Sequence, residues 1–165
     1  MASVYVSIGS NMARETNICS CMQRLRTDFQ HVSFSGIYET PAIGFEGNPF
    51  LNLVAGFTTS LSPQALRTYL RQLEDEHGRV RNQNKYSART LDVDLLLYDD
   101  VNLQPDDNLP HSDILTYAFV LLPLAEIAPE QQHPVLHQSI RDIACASLLT
   151  QQALKPVSLP CELGF

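Results

Sequence analysis

Arg89-Thr90-Leu91-Asp92-Val93-Asp94-Leu95-Leu96-Leu97 is the stretch that decides the fold. Leu91, Val93, Leu95 and Leu97 alternate with Asp92 and Asp94, a period of two that marks a strand with one apolar face. Leu91 to Tyr98 therefore reads as a strand with its leucines toward a core and both carboxylates on the other side. Upstream, Ser62-Pro63 is a helix start, with Ser at the cap and Pro at the first helical position. Leu66, Leu70 and Leu73 line the buried stripe of that helix, and Gly78 suits its end. Phe50 to Thr59 and Val32 to Tyr38 read as strands. The Thr40–Pro49 connection between them carries two prolines and two glycines and reads as a loop. Earlier still, Ile18, Met22, Leu25 and Phe29 recur at helical spacing over Arg14–Phe29. Val4 to Ile8 is a strand that ends in the turn residues Gly9-Ser10-Asn11. Downstream of Asp99 a polar loop runs to Asp113. An apolar helix follows over Phe119–Ile127, then a last helix over Ser139–Leu149.

The order strand, helix, strand, strand, helix, strand predicts an α+β, ferredoxin-like βαββαβ sandwich. It has an antiparallel sheet with helices on one face and extra C-terminal elements. The opposite face is the natural ligand site unless loops cover it. The length of 165 residues fits one domain over 1–165, with 151–165 left as an irregular tail. A net charge of −7 and a pI near 5.1 argue against general nucleic-acid binding, which rests on Lys and Arg neutralising phosphates. No apolar run approaches the ~18 residues of a membrane span, and the first residues lack a basic leader. A soluble cytoplasmic protein without membrane partners is the expectation. Cys19, Cys21, Cys145 and Cys161 show no zinc spacing, and reduced thiols are expected in that compartment.

Asp92 and Asp94 would lie about 6–7 Å apart along their strand. Paired carboxylates repel unless a cation sits between them, and hard oxygens with room for water and phosphate suit Mg²⁺. The plainer alternative is a solvent-facing strand. Arg79, Arg81, Lys85 and Arg89 fall within eleven residues just before the pair. Guanidinium forks beside a metal site are what a polyphosphate needs, although surface salt bridges would use the same residues. Gly78, Asn82 and Asn84 give this segment the composition of a loop able to close over substrates. Phe50 and Asn52 share a strand face, where a flat heteroaromatic ring would find a stacking surface and an amide partner. Ordinary packing is the alternative for both, and for Phe119. Glu74, on the shoulder of the second helix, either orients an arginine, touches a ligand or is simply exposed. His111 is placed to donate to a phosphate. The other histidines read as surface or packing residues, and Pro134 spoils a helical metal pair of His133 and His137.

These blocks resemble the hydroxymethyldihydropterin pyrophosphokinase family of folate biosynthesis, over Val4 to about Pro129. The resemblance is carried by Gly9-Ser10-Asn11, Tyr38-Glu39-Thr40-Pro41, Phe50-Leu51-Asn52, Glu74 and Gly78-Arg79-Val80-Arg81. It continues through Arg89-Thr90-Leu91-Asp92-Val93-Asp94, Pro110-His111 and Ala118-Phe119-Val120-Leu121-Pro123-Leu124. It implies transfer of pyrophosphate from ATP to a pterin alcohol, with AMP leaving. Asp92 and Asp94 would hold two Mg²⁺ ions. Arg79 and Arg89 would be catalytic, and Glu74, Arg81, Lys85, Arg89 and His111 would bind ATP. Thr40, Pro41, Ile43, Phe50, Asn52 and Phe119 would form the pterin pocket, and Tyr86 stands in the closing loop. The partners implied are small molecules, and a monomer is expected. Asp113 and Tyr117 occupy places where the family usually has basic residues. The alternatives are therefore a diverged paralogue that binds pterin or ATP with little turnover, or one that acts on another pterin alcohol. A glycosyltransferase with an Asp-x-Asp metal site is a further rival, but 165 residues leave little room for its two domains.

Overall fold

A computed structural model describes residues 1–42, 47–78 and 90–163. The elements in chain order are β1 (Ala2–Ser10), α1 (Arg14–Asp28), β2 (Gln30–Phe34), β3 (Ile37–Thr40), β4 (Phe50–Thr59), α2 (Pro63–Glu76), β5 (Asp92–Tyr98), α3 (Ala118–Ile127), α4 (Ile140–Ala146) and β6 (Lys155–Val157). The sheet runs β5-β1-β4-β3-β6, with β2 also paired to β4. Every pairing described is antiparallel. This is the expected α+β, ferredoxin-like arrangement.

One face of the sheet carries the apolar residues that the alternation marks, except Leu97, which a bulge at Leu96 turns to the other face. Val4, Val6 and Ile8 of β1, Leu51 and Leu53 of β4, and Val93 and Leu95 of β5 are buried on the first face. They pack against Ile18, Met22 and Leu25 of α1 and Leu66, Leu70 and Leu73 of α2. Ser62 caps α2 as its sequence requires, accepting from the Ala65 amide at 3.1 Å.

The C-terminal helices occupy the other face. Val120, Leu121 and Leu124 of α3 and Ile140 and Ile143 of α4 form a second core with Val54 and Leu96. They cover only part of that face, so the ligand side is half roofed rather than bare. Gly9, Asn52 and Asp92 lie side by side on that face of β1, β4 and β5, the first two buried and Asp92 half-buried.

Three expectations need correcting. The strand anticipated over Val32–Tyr38 is two strands. Ser35 breaks the ladder by using its own hydroxyl to accept the Val54 amide at 2.9 Å. The last helix stops at Ala146, and a 3-10 turn (Leu148–Gln151) follows it. The tail after Gln151 is not irregular throughout. It includes β6, paired with β3 in the register Ile37↔Val157, Tyr38↔Pro156 and Glu39↔Lys155.

The cysteines depart from the expectation as well. Cys19 and Cys161 form a disulfide, while Cys21 and Cys145 are free. Two positions apart on α1, Cys19 and Cys21 point different ways. Cys19 meets the tail and Cys21 enters the core, where burial pushes its thiol up to about 12.

Candidate active site

The register of β5 against β1 places Asp92 opposite Gly9 and Asp94 opposite Ser7. On the far side of β1, Gly9 pairs with Asn52 and Ser7 with Val54. Alternation then puts Asp92, Asp94, Gly9 and Asn52 on one face. The two carboxylates are half-buried and stand two strand spacings, roughly 10 Å, from Asn52. Gly9 forms the floor between them. A Cβ there would come within 3.1 Å of Asn52 Oδ1 and 3.8 Å of the Phe50 ring. Any larger residue would fill the space that joins the two halves of the site.

The acidic half is a cleft of about 310 Å³ between α2 and β5, lined by Arg67, Arg71, Glu74, Asp92, Asp94 and His111 among others. Glu74 is not an exposed helix carboxylate. It is only 6% exposed, and its Oε2 accepts the Val93 amide at 2.8 Å. β5 lies at the end of the strand order, so this bond satisfies an outward amide between the two aspartates. His111 Nδ1 accepts the Asp113 amide at 3.1 Å, which leaves the proton of the neutral ring on Nε2. Burial lowers the His111 pKa, the Asp113 and Asp92 carboxylates oppose that, and Arg67 reinforces it. Asp94, His111 and Asp113 each offer an atom within 4.8 Å of the others. Hard carboxylate oxygens on an open face fit a divalent cation of the Mg²⁺ type.

The second half surrounds Asn52. Asn52 is 7% exposed and Thr40 is 8% exposed, and Asn52 Nδ2 donates to Thr40 Oγ1 at 2.6 Å. Phe50 is half-buried directly opposite Thr40 on β3, and Pro41 is exposed just beyond it. Phe119, in the first turn of α3, is stacked on Tyr117 with ring centroids 5.0 Å apart and planes at 21°. Tyr117 therefore extends an aromatic wall where the sequence reading saw only a lost cation. Glu126 ties α3 to this half, accepting from Tyr38 Oη at 2.7 Å and from the Gly36 amide at 3.3 Å.

Ile43, Arg79, Arg81, Lys85, Tyr86 and Arg89 lie outside the described residues. Sequence reasoning missed Arg67 and Arg71. Their four-residue spacing on α2, beside the Leu66 and Leu70 stripe, was the available signal. The pairing of Asp113 with His111 and of Tyr117 with Phe119 joins residues two apart in sequence, and each depends on the local backbone turn that the residue types alone do not fix.

Residues 5–129 match the family model described as 7,8-dihydro-6-hydroxymethylpterin-pyrophosphokinase. The chain belongs to this family. A 2-amino-4-hydroxy-6-hydroxymethyldihydropteridine pyrophosphokinase of Aquifex aeolicus is 35% identical over 146 residues, covering 86% of this chain and 90% of that protein. The pyrophosphokinase of the same name from Bacillus subtilis is 36% identical over 134 residues, covering 76% and 78%. Among solved structures, a triple mutant of Plasmodium falciparum HPPK-DHPS superposes with a TM-score of 0.67 at 14% identity. That likeness covers 92% of this chain and 43% of the longer one, and it concerns the pyrophosphokinase fold alone. The family match spans both halves of the site, from Gly9 on β1 to Phe119 on α3.

Proposed function

We propose that the chain transfers the terminal diphosphoryl group of ATP to the hydroxymethyl oxygen of 6-hydroxymethyl-7,8-dihydropterin, releasing AMP, as a step of folate biosynthesis. The observation that carries this reading is the single sheet face on which Asp92 and Asp94 and the Asn52–Thr40 pair meet across Gly9. That separation matches a bicyclic ring reaching from its amide edge to a phosphate held by metal. Family membership and the names of relatives alike over most of their length support the same chemistry.

Asn52 and Thr40 face the amide edge of the pterin, and Phe50 and Phe119 hold the ring face, with Pro41 and Ile43 at the rim. His111 presents its Nε2 proton to a phosphate oxygen. Arg79, Arg81, Lys85 and Arg89 supply further cations, as the family resemblance implies. Glu74 acts through β5, holding Asp92 and Asp94 in place. Two Mg²⁺ ions bound by these aspartates with ATP would neutralise charge on the transferring phosphates. The hydroxymethyl oxygen attacks the β-phosphorus in line, and AMP leaves. The residues contribute positioning and charge stabilisation rather than covalent chemistry. We read 1–165 as one catalytic domain that works as a monomer in the cytoplasm, where ATP is supplied. Among the described residues no helix is long and apolar enough to cross a membrane.

The test is AMP release from Mg-ATP on addition of the pterin alcohol, with Asp94→Ala in parallel. Turnover by the parent and its loss in a folded Asp94→Ala protein are expected. Full turnover by Asp94→Ala would defeat the assignment.

A further inference from the structure

The family match ends at residue 129, and the tail beyond it makes contacts at the acceptor half of the site. After the 3-10 turn, β6 runs along the outer edge of β3. Leu159 is buried in the core that α1 and α2 also line. Cys161 then closes the segment onto α1 through Cys19, and Arg26 Nη1 donates to the Cys161 carbonyl at 3.3 Å.

β3 leads directly into Thr40 and Pro41. Glu39, the residue before them, accepts Lys155 Nζ of β6 at 3.4 Å and Arg14 Nη1 at 2.7 Å. The same Arg14 Nη1 donates at 3.2 Å to the carbonyl of Pro49, the residue before Phe50. One guanidinium thus joins the two ends of the connection between β3 and β4, and the carboxylate it uses is held by the tail. Asn11 adds a second tie, donating from Nδ2 to the Asn48 carbonyl at 3.1 Å.

Apart from the buried Leu159, the non-covalent hold on the tail is thin. β6 has three residues, and exposed ion pairs such as Lys155–Glu39 contribute little individually. The disulfide joins residues 142 apart in sequence and holds the end of the tail beside α1, which raises its effective concentration at the β3 edge. An open groove of about 550 Å³, lined by Cys19, Ser20, Arg26, Pro160 and Cys161, gives a reductant access to it.

We propose that residues 152–163 are a disulfide-fastened brace for the acceptor half of the site, so that opening Cys19–Cys161 weakens acceptor binding and spares ATP binding. The proposal rests on the assignment of Thr40, Phe50 and Asn52 to the acceptor. Arg14, Glu39 and Lys155 are positioning residues in this scheme. The opening reagent is a dithiol. Its thiolate attacks one sulfur to give a mixed disulfide, and its second thiol displaces the protein thiol. Cys19 and Cys161 gain two electrons and two protons, and the dithiol loses the same in forming its own disulfide.

The experiment uses the full chain, oxidised, then reduced with dithiothreitol, then reoxidised, with Cys161→Ser alongside. Calorimetry with the pterin alcohol and with a non-hydrolysable ATP analogue, each in the presence of Mg²⁺, gives the two affinities. Thiol titration in denaturant should count two thiols in the oxidised protein and four after reduction. Acceptor Kd should weaken by roughly fivefold or more on reduction, recover on reoxidation, and be weak in Cys161→Ser with or without reductant. The affinity for the ATP analogue should change by less than about twofold across these states. Four thiols before reduction, equal acceptor affinity in both redox states, or a parallel loss of both affinities would each overturn the brace. If the oxidised protein binds the analogue but no pterin, the acceptor assignment itself fails. Amide exchange at Ile37–Thr40 then decides the brace alone: faster exchange on reduction supports it, and unchanged exchange overturns it.

Discussion

Removing the Glu74 carboxylate should loosen the strand that carries the proposed metal ligands Asp92 and Asp94. Glu74 Oε2 accepts the Val93 amide at 2.8 Å in a buried setting, and Val93 lies between Asp92 and Asp94. A hydrogen bond to a charged acceptor contributes about 1.5–3 kcal/mol, and a buried amide left without a partner costs a similar amount. Glu74→Ala should therefore destabilise the protein by about 1.5–3 kcal/mol. At roughly 2–4 °C per kcal/mol for a chain of this size, Tm falls by roughly 3–12 °C. Glu74→Gln retains an acceptor oxygen without the charge and should lose only about 0.5–1.5 kcal/mol. Scanning calorimetry on the three proteins measures the ordering parent, Gln, Ala. Amide exchange at Val93 should accelerate in Ala, and affinity for Mg-ATP should fall with it. A Glu74→Ala protein that melts within about 1 °C of the parent, with Val93 still protected, would refute the claim that this bond holds β5.

The remaining expectations follow from other named contacts. Phe50→Ala and Phe119→Ala should weaken pterin binding far more than ATP binding, because a stacked ring adds about 0.5–1.5 kcal/mol beyond its buried area; calorimetry on each ligand reads this, and equal losses would indicate general destabilisation. Tyr117→Ala should also weaken the pterin by roughly two- to tenfold, since Phe119 loses its stacking partner; an unchanged pterin Kd would show that this stack does not shape the pocket. Buried His133 accepts the Val135 and Leu136 amides at Nδ1, both at 3.2 Å, and burial, with the charge of His137 second, holds its pKa below the ordinary 6.5. The unfolded chain therefore takes up this proton first as pH falls. The stabilisation is complete above 6.5 and is lost on acidification through the lower folded-state value. Urea denaturation across this range should show a shallower pH slope for His133→Asn, and an identical slope would remove His133 from the account. Brief iodoacetamide treatment of the oxidised native protein near pH 8 should alkylate Cys145 and spare Cys21; mass spectrometry showing equal labelling would contradict the burial of Cys21.

The part of the fold that the sequence makes legible is the part set by local pattern. The leucine–aspartate alternation of β5 and the Ser62-Pro63 start of α2 depend on neighbours in sequence; the structure reproduces the helix start, and the alternation from Leu91 to Leu95, beyond which a bulge sends Leu97 to the second core. The break between β2 and β3 was hidden because it depends on the Ser35 hydroxyl reaching Val54 in another strand. β6 was hidden because three residues with a central proline carry no period; only the free edge of β3 makes them a strand. The Cys19–Cys161 disulfide was equally illegible, since cysteine spacing cannot report a contact between α1 and a distant tail. The site divides in the same way. Asp92, Asp94, Phe50 and Asn52 could be placed on faces by alternation. The burial of Glu74 required knowing which elements meet.

In the proposed reaction one sheet face joins a metal–triphosphate half to a pterin half for transfer of a diphosphoryl group. Phosphorus NMR of the reaction with Mg-ATP and 6-hydroxymethyl-7,8-dihydropterin tests it most directly. The expected product is a pterin with two mutually coupled phosphorus resonances, formed in equal amount with AMP. A pterin product with a single phosphorus resonance formed alongside ADP, or ATP consumed equally with and without the pterin, would contradict it.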